Sequence, residues 1–207
     1  MTLAVVARVE TARGELVLRC DGEHFEVISN GVFLMDTRDG RSERMLVTAA
    51  LAAHPDPRSL LIGGLGVGFS LEAAVADERL ERITVVEIEP TLVDWYEAEL
   101  GRSAHKDPRV DIVIADIAEH GGSYDVICLD VDNGPDWTVT ESNTGLYDAS
   151  GTAELRDRLT EHGVLAIWSA HEVASYEALL RAHFTEVNVL TVPVARGEPD
   201  TVYVATN

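Results

Sequence analysis

Three carboxylates stand where apolar runs end: Glu87 within Arg82–Glu89, Asp116 after Val110–Ala115, and Asp130 after Tyr124–Leu129. Upstream, Ser59 to Leu71 turns from the apolar run Leu60–Ile62 into four glycines, Gly63, Gly64, Gly66 and Gly68. Glycine accepts positive φ and has no Cβ, so a ligand can lie against its backbone. The N–H groups of a helix that follows would face that ligand. Glu87 falls close to ~20 residues after the turn, the spacing at which an acid grips ribose hydroxyls. A carboxylate suits that task because it accepts two hydrogen bonds at once. Glu89 shares the face of Glu87 if the strand persists; otherwise it is an acid that starts the next helix. Asp116 either accepts from an exocyclic adenine amine or caps Ile117–His120. A charge directly after a buried apolar strand is costly unless something uses or pairs it. Asp130 is therefore the first catalytic candidate, and Asp132 the second.

The elements that must position these groups alternate. From Ser59 onward, strands at Leu60–Ile62, Arg82–Glu89, Val110–Ala115, Tyr124–Leu129 and Val164–Trp168 are separated by helical patterns. The helices are expected after the glycine turn and over Thr91–Leu100, Ala149–Leu159 and Val173–His183, with His171-Glu172 capping the last. This order implies a doubly wound, mostly parallel α/β sheet covered on both faces. In such sheets ligands bind beyond the carboxyl ends of the strands. Val187–Val194 and Thr201–Ala205 form an antiparallel hairpin across Arg196–Asp200. Before Ser59, a helix over Ser42–Ala53 is capped by Ser42 and ended by His54-Pro55-Asp56-Pro57. Residues 1–40 read as a small N-terminal β appendage, with Ala4–Val9, Leu16–Arg19 and Phe25–Ile28 separated by Asp21-Gly22 and Asn30-Gly31. Residues 41–207 form the nucleoside-binding domain.

Composition narrows the function classes. With 36 acidic against 16 basic side chains the net charge is −20, which argues against nucleic acid as a partner. No apolar run reaches the ~18 residues that span a bilayer. Met1 to Arg8 lacks the pattern of a signal peptide, so a cytoplasmic protein without a membrane partner is expected. Cys20 and Cys128 have no metal-ligand or redox spacing, and Cys128 reads as a buried small hydrophobe. The histidines also lack metal spacing, so no metal is expected.

The glycine turn Gly64-Leu65-Gly66-Val67-Gly68, followed by Glu87, Asp116 and Asp130, resembles the class I S-adenosylmethionine-dependent transferases. A nicotinamide register, Gly-x-Gly-x-x-Gly, is not met cleanly. Within that Rossmann-like methyltransferase superfamily, the chain from about Ser42 resembles spermidine synthases, the aminopropyltransferases. Val85-Val86-Glu87-Ile88-Glu89 is similar to their Val-Glu-Ile-Asp, Ala115-Asp116 to their Gly-Asp, and Tyr124-Asp125-Val126-Ile127 with Asp130 to Tyr-Asp-Val-Ile-x-x-Asp. The resemblance implies cofactor contacts from Gly63, Gly64, Gly66, Gly68, Glu87, Asp116 and Ile117. It implies Asp130 as the base, Glu43 beside the acceptor, and a homodimer; Trp137, which follows the Asp130 loop, either walls the acceptor site or packs on the domain. The cofactor it implies is S-adenosylmethionine or its decarboxylated form. The chain departs from the family at Gly66, where spermidine synthases carry the Asp that holds the aminopropyl amine. It departs again at Arg41-Ser42-Glu43, in the shortened loop Asp130–Pro135, and at Pro193–Arg196.

Three functions follow from that pattern. The first is transfer of an aminopropyl or related alkyl group from an S-adenosyl sulfonium to an amine. The second is methyl transfer from S-adenosylmethionine to a small molecule, and the third is a non-catalytic nucleoside-binding module. Arg41 and Arg196 would predict an anionic acceptor if they faced the pocket. Trp168 either borders the pocket or packs in the core.

Overall fold

In the computed structural model, residues 3–138, 141–195 and 197–207 are described. The first sheet is built from short strands and tight turns: β1 (Ala4–Thr11), β2 (Gly14–Asp21), β3 (His24–Ser29) and β4 (Val32–Asp36), paired in that order and antiparallel throughout. Asn30 and Gly31 have φ of 51° and 80°, the signature of the two-residue hairpin turns that match strand twist. They join β3 to β4, a fourth strand that the pattern of three short runs did not indicate. The inner face of this sheet, with Leu16, Leu18 and Val27, packs on Val67, Phe69, Leu92 and Trp95.

The second sheet has seven strands: β5 (Ser59–Gly63), β6 (Arg82–Glu87), β7 (Val110–Ile114), β8 (Tyr124–Leu129), β9 (Leu159–Ser169), β10 (Glu186–Val192) and β11 (Asp200–Thr206). Their spatial order is β10-β11-β9-β8-β5-β6-β7. Strands β5 to β9 pair in parallel, and β11 and β10 close one edge antiparallel. This is the expected mostly parallel sheet with its C-terminal hairpin. Strand side chains alternate between faces, and Leu60 and Ile62 enter one core while Leu61 enters the other. Helices α1 (Arg41–Ala53) and α2 (Phe69–Val75), with Tyr96 of α3 (Pro90–Ala98), cover the first face. Helices α4 (Ala149–Asp157) and α5 (Ala174–His183) cover the second.

Several boundaries differ from expectation, each for a local reason. Helix α1 starts from Gly40, and Ser42 is buried within it and bonds Glu43 rather than capping. Its buried stripe is Leu46, Val47, Ala50 and Leu51, while Met45 and Ala53 face outward. Strand β6 stops at Glu87, and Glu89 caps α3 by accepting the Thr91 N–H at 3.2 Å. Strand β9 begins at Leu159 and runs through His162-Gly163, with a register shift in its pairing to β8. His162 takes φ of 63° there, so the residues ahead of the expected strand Val164–Trp168 are an irregular stretch of the same strand. Val173, not His171-Glu172, caps α5; His171 Nε2 lies 3.2 Å from Asp136 instead. Cys128 is fully buried, as its apolar run indicated. No helix among the described residues is long and apolar enough to cross a membrane.

Candidate active site

The chain leaves β5 for β6 and β7 on one side and returns to β8 on the other. That reversal opens a crevice at the carboxyl ends of β5 and β8. The glycine turn fills its floor. Gly64 N–H donates to the Val86 carbonyl at 2.8 Å, and Asp130 N–H donates to the Gly63 carbonyl at 2.8 Å. A Cβ on Gly64 would lie 2.3 Å from the Asp130 carbonyl oxygen, and its φ is +90°. Only glycine fits there. Gly68 (φ +89°) is equally constrained, because a Cβ would meet the Tyr96 ring at 2.1 Å. Gly66 differs. Its φ is +53°, but the nearest atom to an added Cβ is Met35 Sδ at 3.5 Å. Helix α2 after the turn has seven residues, so the cradle is mainly the turn's own backbone.

A cavity of about 790 Å³ opens over this turn, between the two sheets. Gly64, Gly66, Gly68, Glu87, Asp116, Ile117, Asp130, Asp132, Glu43 and Trp137 all line it, as do Trp168 and Glu89. Gly63 lies beneath, against Leu129 and Ile117. Glu87 is 5% exposed. Its Oε2 accepts the Leu65 N–H and its Oε1 the Glu89 N–H, both at 2.8 Å. Burial raises its carboxyl pKa, against the pull of those N–H donors. Each oxygen keeps a second lone pair, so Glu87 can brace the turn and still accept from a ligand. Asp116 Oδ1 accepts the Ala118 N–H at 2.9 Å, so it holds its own turn as well as facing the cavity.

Asp130 sits at the other end of the crevice. Burial, reinforced by the neighbouring Glu43 carboxylate, pushes its pKa up to about 7, while the Ser70 hydroxyl 2.9 Å from Oδ2 opposes the rise. Glu43 is raised too, by burial first and then by Asp200 and Asp39, while Ser42 Oγ at 3.0 Å from Oε2 counters. Asp132 adopts φ of 59° in the loop behind. That loop is pinned where Tyr147 Oη donates to the Val131 carbonyl at 3.1 Å and where Ala170 N–H meets the Asn133 carbonyl at 3.0 Å. Trp137 is 60% exposed at the mouth. Arg41 is held by Asp39, with Nη2 2.7 Å from Oδ2, and does not line the cavity. Arg196 lies outside the described residues.

Sequence reasoning missed four contributions. The N-terminal strands, read as an appendage, supply a whole wall of the cavity through Arg13, Asn30, Phe33 and Met35. Ser70 and Asp200 were not singled out, since a lone serine or a turn aspartate carries no pattern. Asp200 faces Ser42 and Trp168 and bears on both Glu43 and Asp130. Asp39 lines the cavity as well. Among the described residues, no group of three or more His, Cys, Asp or Glu is arranged to hold a metal ion.

The family model for the spermine/spermidine synthase domain matches residues 40–195, most of the chain, including the glycine turn, Glu87, Asp116 and Asp130 but not the N-terminal wall of the cavity. The chain belongs to that family. A polyamine aminopropyltransferase of Pyrobaculum calidifontis is 29% identical over 148 residues, 65% of this chain and 50% of that protein. Putrescine N-methyltransferase 4 of Nicotiana tabacum is 34% identical over 93 residues, 42% of this chain and 24% of that protein. The chain thus spans half or less of the length of these curated relatives. A spermidine synthase solved with the transition-state analogue AdoDATO superposes with a TM-score of 0.83 at 18% identity, over 98% of this chain and 73% of that one. The doubly wound fold is therefore that of a spermine/spermidine synthase domain, and the superposition extends the shared fold to the antiparallel N-terminal sheet.

Proposed function

We propose that this spermine/spermidine synthase domain transfers an aminopropyl or related alkyl group from an S-adenosyl sulfonium to a small-molecule amine. One observation carries this reading: Asp130, with a pKa near 7, shares one cavity with the glycine turn and Glu87. A base works best when its pKa lies near the operating pH. The glycine turn, Glu87, Asp116 and Ile117 would hold the nucleoside, with Glu87 accepting from ribose hydroxyls and Asp116 from the adenine amine. Asp130, with Asp132 behind it, serves the acceptor side, where Glu43 and Trp137 flank the incoming amine. The donor is S-adenosylmethionine or its decarboxylated form.

The reaction is an in-line displacement. The amine lone pair attacks the carbon bonded to the sulfonium, that C–S bond breaks, and its electrons neutralise sulfur. Positive charge thereby moves from sulfur to nitrogen, and a carboxylate beside the nitrogen stabilises the transition state more than the ground state. Asp130 then takes the proton released by nitrogen. Orientation of the two reactants in one crevice supplies several kcal/mol more. The same reading makes the protein a cytoplasmic homodimer of polyamine biosynthesis, acting without metal, nucleic acid or membrane; the family resemblance supports the dimer and the charge of −20 argues against nucleic acid.

A second reading, methyl transfer, is favoured by Gly66. Where spermidine synthases place an amine-binding Asp, this chain has a glycine whose added Cβ would touch only Met35, at 3.5 Å, and one relative bears the name putrescine N-methyltransferase. Mass spectrometry of reactions with each donor and a set of diamines separates the two. Methylthioadenosine with an aminopropylated amine supports the first; S-adenosylhomocysteine with a methylated amine supports the second. Release of neither would leave only the non-catalytic module.

A further inference from the structure

Ser70 lies in the first turn of α2 and is 1% exposed. Its Oγ is 2.9 Å from Asp130 Oδ2 and 3.3 Å from the main-chain oxygen of Glu43. A serine hydroxyl has one proton to give, and the nearer acceptor, a carboxylate, makes the stronger bond. We propose that Ser70 is the positioning residue for Asp130: it donates to Oδ2, fixes the carboxylate's rotation, and leaves Oδ1 to take the proton from the acceptor amine. This rests on Asp130 as the proton acceptor.

The geometry supports the role in two ways. Backbone bonds fix where Asp130 starts, through its N–H to Gly63, but they leave its side-chain torsions free. Ser70 supplies the constraint on those torsions. It also stands two residues after Gly68, whose close approach to Tyr96 fixes the turn. The segment that would cradle the donor therefore also orients the base, so the two halves of the reaction are aligned by one rigid stretch.

The electrostatics agree. Asp130 is faced by Glu43 from α1, Asp200 from β11 and Glu87 from β6, all of which favour its protonated form. Cys128 on β8, the strand that leads into Asp130, and Tyr147 feel its charge in return. Ser70 pulls the opposite way, toward the carboxylate. Loss of a hydrogen bond to an ionised group corresponds to roughly one pH unit.

The test is Ser70→Ala, a substitution compatible with a helix. Carboxyl groups are followed by carbon-13 NMR across pH, with Asp130→Asn assigning the Asp130 signal. The titration midpoint should move up by about one unit. Turnover should fall at least about fivefold at pH 7, the drop that the shifted midpoint alone gives, and recover only in part at higher pH because the carboxylate is no longer oriented, with the donor KM unchanged. An unmoved midpoint, or full recovery of the rate at higher pH, would overturn the role. If no amine is turned over by the unsubstituted protein, the proposed function fails, while the titration still decides the place of Ser70.

Discussion

Glu87 Oε2 accepts the backbone N–H of Leu65 at 2.8 Å, so the acid at the end of one strand holds the glycine turn at the end of its neighbour. Its other oxygen accepts from Glu89 N–H at 2.8 Å and sets the start of α3. The acid expected to grip a ribose is thus also a brace for the surface on which the nucleoside would lie. The two roles are compatible because the oxygens that bind the backbone retain free lone pairs.

Replacing Glu87 tests both roles. In Glu87→Gln one of the two backbone N–H groups meets an amide NH₂ in place of an acceptor. A buried donor left without an acceptor costs about 1–3 kcal/mol. Chemical denaturation should show that loss, and calorimetry should show S-adenosyl nucleoside affinity falling at least tenfold. Unchanged affinity would remove Glu87 from the nucleoside site.

The pH dependence of stability follows from Asp130. Its folded-state pKa, about 7, exceeds the ~3.9 of an unfolded aspartate. The folded form therefore holds a proton that the unfolded form has lost between these values, and stability falls as pH rises from about 4 to about 7. Asp130→Asn removes this slope. The variant should be more stable than the parent at pH 8, by on the order of a few kcal/mol, and nearly equal to it at pH 4. Urea titrations at the two pH values measure the difference; equal stability at both would contradict the buried, raised carboxylate.

Two glycines of one turn should respond differently to substitution. Gly64→Ala drives a Cβ to 2.3 Å from the Asp130 carbonyl and should abolish nucleoside binding with a marked fall in Tm. Gly66→Asp meets only Met35 Sδ at 3.5 Å, so its cost is the left-handed conformation, about 1–2 kcal/mol. The variant should fold, and its added carboxylate should shift donor preference at least tenfold toward decarboxylated S-adenosylmethionine. Competition calorimetry with the two donors reads the shift; no change would mean that Gly66 does not face the aminopropyl end.

Much of this architecture was legible in the chain. Apolar runs ending in Glu87, Asp116 and Asp130 marked three strand ends, and these residues do meet in one cavity. The alternation of strands and helices foretold the sheet and its antiparallel hairpin. What stayed hidden depends on approach across the fold. Nothing in residues 1–40 signals that Arg13, Asn30, Phe33 and Met35 wall a cavity over Gly66, because that contact is made between sheets. Ser70 and Asp200 bear on Asp130 only after α2 and β11 are placed. The strand expected from Val164 begins already at Leu159, because pairing with β8 tolerates one irregular stretch.

The central claim is that Asp130 serves an amine that takes an aminopropyl group from an S-adenosyl sulfonium. It is tested most directly by incubating the protein with decarboxylated S-adenosylmethionine and a diamine, and following methylthioadenosine by mass spectrometry. The account predicts methylthioadenosine and an aminopropylated amine in equal amounts, with the rate at least a hundredfold lower in Asp130→Asn and nucleoside affinity retained, the loss expected when a general base is removed. Undiminished turnover by Asp130→Asn, or product formed only from S-adenosylmethionine as a methylated amine, would contradict it.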